Sequence, residues 1–444
     1  MRLLLRNFRI VDAETDACGS VMVEDGRITR TVFHRTVFPS GASGDDRLDN
    51  ASADMIIDGL AWRRPVPVLM PALVDLHAHF RDPGGAEKGA PLPAELLESA
   101  CFAAAAGGYG TLVCMANTDP VIDTVEKAAA IKARADTLGL VDLYPAMSLT
   151  KGMAGAELSG ITALPDPRYT PRLLSEDGRD VADRGLFLAA LHEARRIGIP
   201  VSCHCDAGGL EAEAAKQSGQ GREVWSRIEE NRATERAVHA GREAGARVHI
   251  AHVSTREAAA LVREAKAAPG GRLSAEASPH HLALTEEAAR ELGAESHGRV
   301  NPPLRAEADR QALIAAIADG VIDAIATDHA PHWAADKGRG APGFSGLETA
   351  FSVCYTALVR ENALSLKALS RLMSAAPACI LGLDDRGRIA PGLRADFLIA
   401  DLGMSWIVDP ASFRSHGRNS PFTGRELWGA ILLTIHGGRV VAGG

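Results

Sequence analysis

Several apolar, strand-like runs in this sequence end in residues that periodicity alone would not put there. His77 and His79 close VLMPALVDLHAHF (68–80), Asn117 closes TLVCMAN, His204 lies in IPVSCHC, His252 in ARVHIAHVS and Asp328 in IDAIATDHA. His77 and His79 are two apart, so on one strand both imidazoles face the same side and can share a cation. Histidines grouped with carboxylates suit borderline divalent cations, zinc first. Two such ions about 3.5–4 Å apart would polarise a carbonyl and activate water, with Asp328 as the natural proton acceptor and donor. This chemistry is metal-assisted hydrolysis, and it leaves the substrate unnamed.

Neighbouring residues compete for the same roles. His204 sits between Cys203 and Cys205; if its ring points inward, strand alternation turns both thiols toward the helix layer as buried structural cysteines. His249 and His252 are three apart and cannot share a strand face. His252, nearer the strand end, is the expected ligand, and His249 is expected to be structural. Asp177, in LLSEDGRD, has Glu176 beside it, and an acidic turn is often only solvated. His280 and His281, in ASPHHL, read as structural.

These side chains need a frame that gathers strand ends. Strand candidates at 68–80, 111–117, 141–149, 199–205, 246–254, 272–281 and 322–330, with one more near 172–177, alternate with helical stretches such as TVEKAAAIKARADTLG and DRGLFLAALHEARRIG. That rhythm predicts an α/β fold, a (β/α)8 TIM barrel with insertions, whose active face is at the C-terminal strand ends. Residues 1–30 and those after about 385 return to short strands and turns, as one β-domain assembled from both termini. The expected divisions are 1–67, 68–384 for the barrel, and 385–444. Residues 31–66 read as loop, with an exposed excursion at SGASGDDRLDN.

Composition narrows the class. The 444 residues carry 48 Lys and Arg against 56 Asp and Glu, a formal charge of −8, so a nucleic-acid partner is not expected. No run is long and apolar enough to suggest a membrane span. MRLLLRNFRIVD is too short and too interrupted by Arg for a signal peptide. The seven cysteines are odd in number and form no C-x-x-C pair, as expected of reduced thiols in a cytoplasmic protein.

MPALVDLHAHFRDPG, GGYGTLVCMANTDP, HIAHVST, AEASPHHLALT, RVNPPLR, IATDHAPH and GFSGLETAF together resemble the dihydroorotases of the amidohydrolase superfamily, in their long bacterial form. The resemblance runs from about residue 1 to 440. It implies a distorted (β/α)8 barrel with a small β-sandwich built from both termini. The implied reaction is the reversible cyclisation of N-carbamoyl-L-aspartate to L-dihydroorotate and water, in pyrimidine biosynthesis. It implies two zinc ions per subunit: His77, His79 and Asp328 on one, His204 and His252 on the other, with Asp177 bridging. Lys151 is not expected to act as the carboxylated lysine that bridges the metals of hydantoinases and allantoinases. Arg81 resembles the family's carboxylate-binding arginine, helped by Asn117 and His332, with Asn301 as a further substrate contact and Pro342 and Gly343 offering backbone.

His332 to Gly346 is Gly-rich and polar, suited to a mobile cover. A homodimer is expected from the resemblance, and an aspartate transcarbamoylase is a conceivable partner. Two further readings stand beside this one: a related cyclic amidohydrolase of the allantoinase or hydantoinase type, and a silent subunit of that transcarbamoylase. The sequence departs from the family at Ala116, where the motif has Pro, and at Pro71-Ala72, where it has Pro-Gly.

Overall fold

A computed structural model describes residues 1–34, 48, 53–62, 66–82, 93–160, 169–205, 222–268, 270 and 272–443. Most of the SGASGDDRLDN excursion lies outside the described residues. Strands Leu73–Ala78 (β6), Tyr109–Cys114 (β7) and Asp142–Pro145 (β8) form one parallel sheet. Strands Leu174–Ser175 (β9), Val201–Cys203 (β10), Val248–Ile250 (β11), Leu273–Ala277 (β12) and Ala324–Ile325 (β13) form a second. Parallel bridges between Met147 and Leu174, and between Ala78 and His329, join the two in chain order. The result is a closed eight-stranded barrel with helices between its strands.

The helices start and stop where their capping residues dictate. Thr124 accepts from the Lys127 N–H at the start of Val125–Leu138, and Asp183 accepts from the Leu186 N–H before Arg184–Ile197. Both end at a left-handed glycine, Gly139 and Gly198. None of the described helices is long and apolar enough to cross a membrane.

The two termini meet in one mixed sheet. Arg2–Val11 (β1), Asp16–Glu24 (β2), Arg27–His34 (β3), Met55–Asp58 (β4) and Val68–Pro71 (β5) come from the N-terminal end. Phe397–Ile407 (β14), Glu426–His436 (β15) and Arg439–Gly443 (β16) come from the C-terminal end. In β1 the core-facing parity changes from Leu3 and Leu5 to Phe8 and Ile10. A bulge between Leu5 and Phe8, with Asn7 at φ 61°, absorbs the extra residue.

Two expectations change here. The run 68–80 is two strands: Val68–Pro71 pairs with β1 and β14, and only Leu73–Ala78 enters the barrel. The terminal sheet therefore reaches Pro71, past the division expected after residue 67. Nor is 31–66 all loop, since β3 runs to His34 and β4 pairs in parallel with β1. A short apolar run buried on both faces gives no periodicity by which to divide it.

Candidate active site

The barrel seam brings together residues that lie far apart in the chain. The His79 N–H donates to the His329 carbonyl at 2.7 Å, and Asp75 accepts from the Thr327 N–H at 2.8 Å and from its hydroxyl. These bonds set the first strand, with His77 and His79 at its end, beside the last, with Asp328. His77 Nε2 and His79 Nε2 lie 3.8 and 3.5 Å from Asp328 Oδ1.

Asp177 stands at the centre. Its Oδ1 is 3.2 Å from His77 Nε2 and 3.0 Å from His204 Nδ1, and its Oδ2 is 3.5 Å from His79 Nε2. His252 Nε2 faces His204 Nδ1 at 2.8 Å. Glu176 turns the other way and accepts from the Leu149 and Thr150 N–H groups. Lys151 is at the surface, paired with Glu157 at 2.5 Å.

Among the described residues, two buried atoms in this group have no hydrogen-bond partner, His77 Nε2 and Asp177 Oδ1. Glu276 Oε1 takes the His77 Nδ1–H at 3.0 Å, so Nε2 is left with a lone pair facing a carboxylate. Such an arrangement calls for a positive charge between the two. The electrostatics agree: burial works against a charged His77, yet Asp177, Glu276 and Asp328 hold it well above the ordinary imidazole range. Burial likewise opposes ionisation of Asp177, but His204, His77 and His79 hold it well below the ordinary carboxylate range.

The donor set also fits a metal. Ligand atoms of His77, Asp177 and His252 lie within 4.8 Å of one another, as do those of His77, His79 and Asp328. Asn117 orients this set: its Oδ1 accepts from His79 Nδ1 at 2.9 Å, and its Nδ2 donates to Asp177 Oδ2 at 3.0 Å. Expected as a substrate helper, Asn117 spends its amide on two of the candidate ligand residues. Ala116 beside it is fully buried.

Beside the ligands sits Arg81, in the left-handed region at φ 54°. Among the described residues no carboxylate lies within ion-pair distance of its guanidinium. Burial pulls its pKa down against the more distant charges of Asp177, Asp328 and Glu95. His332 is kept neutral: burial, followed by the Arg81 charge, pushes it down to about 4, and its Nε2–H donates to the Pro342 carbonyl at 2.7 Å. Asn301 Nδ2 is 3.3 Å from His204 Nε2. Gly343 has φ 130°, and a Cβ there would lie 2.5 Å from the Ala330 Cβ.

The residues expected to be structural are buried. Cys203 and Cys205 are buried in the main apolar cluster. His249 donates from Nε2 to Glu276 at 3.0 Å and takes the Ser274 hydroxyl on Nδ1. His281 bonds the Pro302 carbonyl, while His280 comes within 3.9 Å of Asp328 Oδ2. The segment from His332 to Gly346 is no free polar strip. It holds the helix Ala334–Gly338, buries Lys337 and Phe344, and ends on His329, whose Nδ1 accepts from the Gly346 N–H at 3.1 Å.

Sequence reasoning missed Glu276 and the buried Glu95, which accepts from His329 Nε2 at 3.0 Å. A lone acid inside the apolar SAEA strand was the available signal for the first. For the second there was none, because its partner lies at a separation of 234 residues.

Residues 68–441 match the amidohydrolase family model. The chain is 36% identical over 440 residues to a dihydroorotase of Clostridium botulinum, covering 99% of both chains. It is 38% identical over 453 residues to that of Pelotomaculum thermopropionicum, covering 99% of this chain and 98% of the relative. Among solved structures, the L-hydantoinase (dihydropyrimidinase) of Arthrobacter aurescens matches at TM-score 0.82 and 24% identity, over 99% of this chain and 96% of that one. The dihydropyrimidinase of Brevibacillus agri matches at TM-score 0.80 and 20% identity, over 100% and 95%. These two show that the fold is shared. With a family model spanning most of its length and relatives of this identity end to end, the chain belongs to the amidohydrolase family and, within it, to the dihydroorotases.

Proposed function

We propose that the chain catalyses the reversible ring opening of L-dihydroorotate to N-carbamoyl-L-aspartate, with two zinc ions held by His77, His79, Asp177, His204, His252 and Asp328. One observation carries the reading: an arginine with no carboxylate partner among the described residues, Arg81, adjoins a buried ligand cluster with two orphaned polar atoms. A hydantoin ring has no carboxylate to meet such a cation; dihydroorotate does.

Bound there, divalent cations supply Lewis-acid polarisation of a carbonyl and a lowered pKa for water. The protein's own groups do the rest. Arg81, as a charged fork, and His332, as a neutral ring, orient the substrate carboxylate, with Asn301 and the backbone of Pro342 and Gly343 closing round the ring. Asn117 holds His79 and Asp177 in register. Asp328 takes a proton from the attacking water and returns it to the ring nitrogen as the N–C bond to the carbonyl carbon breaks. In the cyclising direction it takes the proton from the carbamoyl nitrogen and delivers it to the departing oxygen.

Zinc-loaded and chelated protein should be compared on L-dihydroorotate, hydantoin and allantoin. Metal-dependent turnover of dihydroorotate alone is the expected result, and turnover of hydantoin alone would overturn the reading. The same reading takes in a cytoplasmic homodimer acting on a small molecule. A mass measurement in solution tests the dimer, and co-purification tests an aspartate transcarbamoylase partner.

A further inference from the structure

The loop that carries His332, Pro342 and Gly343 is held from outside the barrel. Between β14 and β15 the terminal sheet sends the segment Ser415–Asn419 across the barrel mouth. The Gly417 N–H is anchored on the Ala94 carbonyl at 2.7 Å. A Cβ at Gly417 would lie 2.6 Å from the Pro331 Cβ and 2.8 Å from the His332 nitrogen, so the two backbones touch there. The His416 ring stacks on Trp333 with 20° between the planes.

Asn419 makes the decisive contacts. Its Oδ1 accepts from the His332 N–H at 2.8 Å, and its Nδ2 donates to the Gly343 carbonyl at 2.8 Å. Its own carbonyl accepts from the Ser345 N–H at 2.8 Å, and the Ser345 hydroxyl bonds the Gly417 carbonyl and lies 3.3 Å from Asn419 Oδ1. A backbone N–H can only donate and a carbonyl can only accept, so the amide orientation is fixed by its partners. The side chain must offer an acceptor to one arm of the loop and a donor to the other, at a fixed separation. Asparagine does both; aspartate keeps the acceptor but turns a second oxygen on a carbonyl.

We propose that Asn419 is a positioning residue for substrate binding, clamping the His332 arm to the Gly343 arm so that both face Arg81 at the separation the substrate requires. The proposal rests on the reading of that loop as the substrate-carboxylate loop. It gives the terminal sheet a part in specificity that the barrel alone does not supply.

The test is steady-state kinetics on zinc-loaded Asn419→Ala and Asn419→Asp, with His332→Ala as the reference, alongside bound-metal content and thermal unfolding. Both Asn419 variants are expected to raise KM for dihydroorotate about tenfold, with kcat changed no more than about twofold and metal content unchanged. Aspartate, nearly isosteric, carries the test if the alanine variant fails to fold. Wild-type KM in the Asn419 variants while His332→Ala raises it would overturn the proposal and leave the loop reading standing. Lost kcat and lost metal with an unchanged KM would reduce Asn419 to a structural contact, which also overturns it. Wild-type KM in His332→Ala would instead remove the loop reading, and the proposal with it.

Discussion

Glu276 joins His77 to His249, with Oε1 3.0 Å from His77 Nδ1 and Oε2 3.0 Å from His249 Nε2. Although fully buried, it is held down to about 2 by His249 and His77, so it is a carboxylate throughout the working pH range. Its charge fixes which His77 nitrogen is free. Glu276→Gln keeps the shape and removes that charge. Metal affinity should fall by about 10–100-fold, read by competition with a chelating dye. An unchanged affinity would leave Glu276 as packing only.

Asp328→Ala should leave the fold intact and lower kcat by about 10²–10⁴-fold, as removal of a general acid–base does. Circular dichroism and turnover of dihydroorotate check the two halves. Turnover near that of the parent protein would end the proton-transfer role.

Arg81→Met replaces a charged fork by an apolar chain of similar length. With two charge-assisted hydrogen bonds lost, kcat/KM for dihydroorotate should fall about a hundredfold, most of it in KM. If both constants hold, the carboxylate is bound elsewhere.

Removal of metal should destabilise the protein as well as silence it, because His77 Nε2 and Asp177 Oδ1 lose the charge they converge on. At free zinc about 1,000 times Kd the bound ion is worth ~4 kcal/mol of apparent stability. Thermal unfolding before and after dialysis against a chelator reads this, and zinc added back should restore the midpoint.

Lys337 gives a pH signature. Burial, then the charge of Arg299, pushes its pKa from 10.5 down to about 7, and its side-chain nitrogen donates to the Arg299 and Ala341 carbonyls. Between these values the unfolded chain binds a proton that the folded chain does not, so this residue makes stability rise with pH. Below about pH 7 both states carry the proton and its contribution is flat. Lys337→Met should flatten the rise across pH 7 to 10.5, measured by urea unfolding at several pH values in that window.

The ligand-type residues were legible because each lies at or just beyond a strand end, and alternation gave the directions of His77, His79 and His204. His77-x-His79 and the outward-facing Cys203 follow from alternation alone. Alternation fails where the backbone turns left-handed, as it does at Arg81, His252 and Asp328. There a side chain reaches the mouth by strained backbone rather than by parity, and spacing carries no record of it. Asp177 was separable from Glu176 only by the resemblance, since both are acids in one turn. Asn419 was illegible because its meaning lies in two arms of a loop more than 70 residues upstream. The division of 68–80 into β5 and β6 was hidden by a run buried from end to end.

The bridge from Ala78 to His329 has a consequence for how the enzyme comes into being. During synthesis His77 and His79 emerge some 250 residues before Asp328, and Thr327 must travel back to Asp75 before the ring can shut. A growing chain at that stage owns two imidazoles on an unpaired edge. Only when the last strand docks on the first do His77, His79 and Asp328 converge. A place fit for a cation is therefore a certificate of finished manufacture: partly made or misclosed copies carry the letters of the site without the site itself.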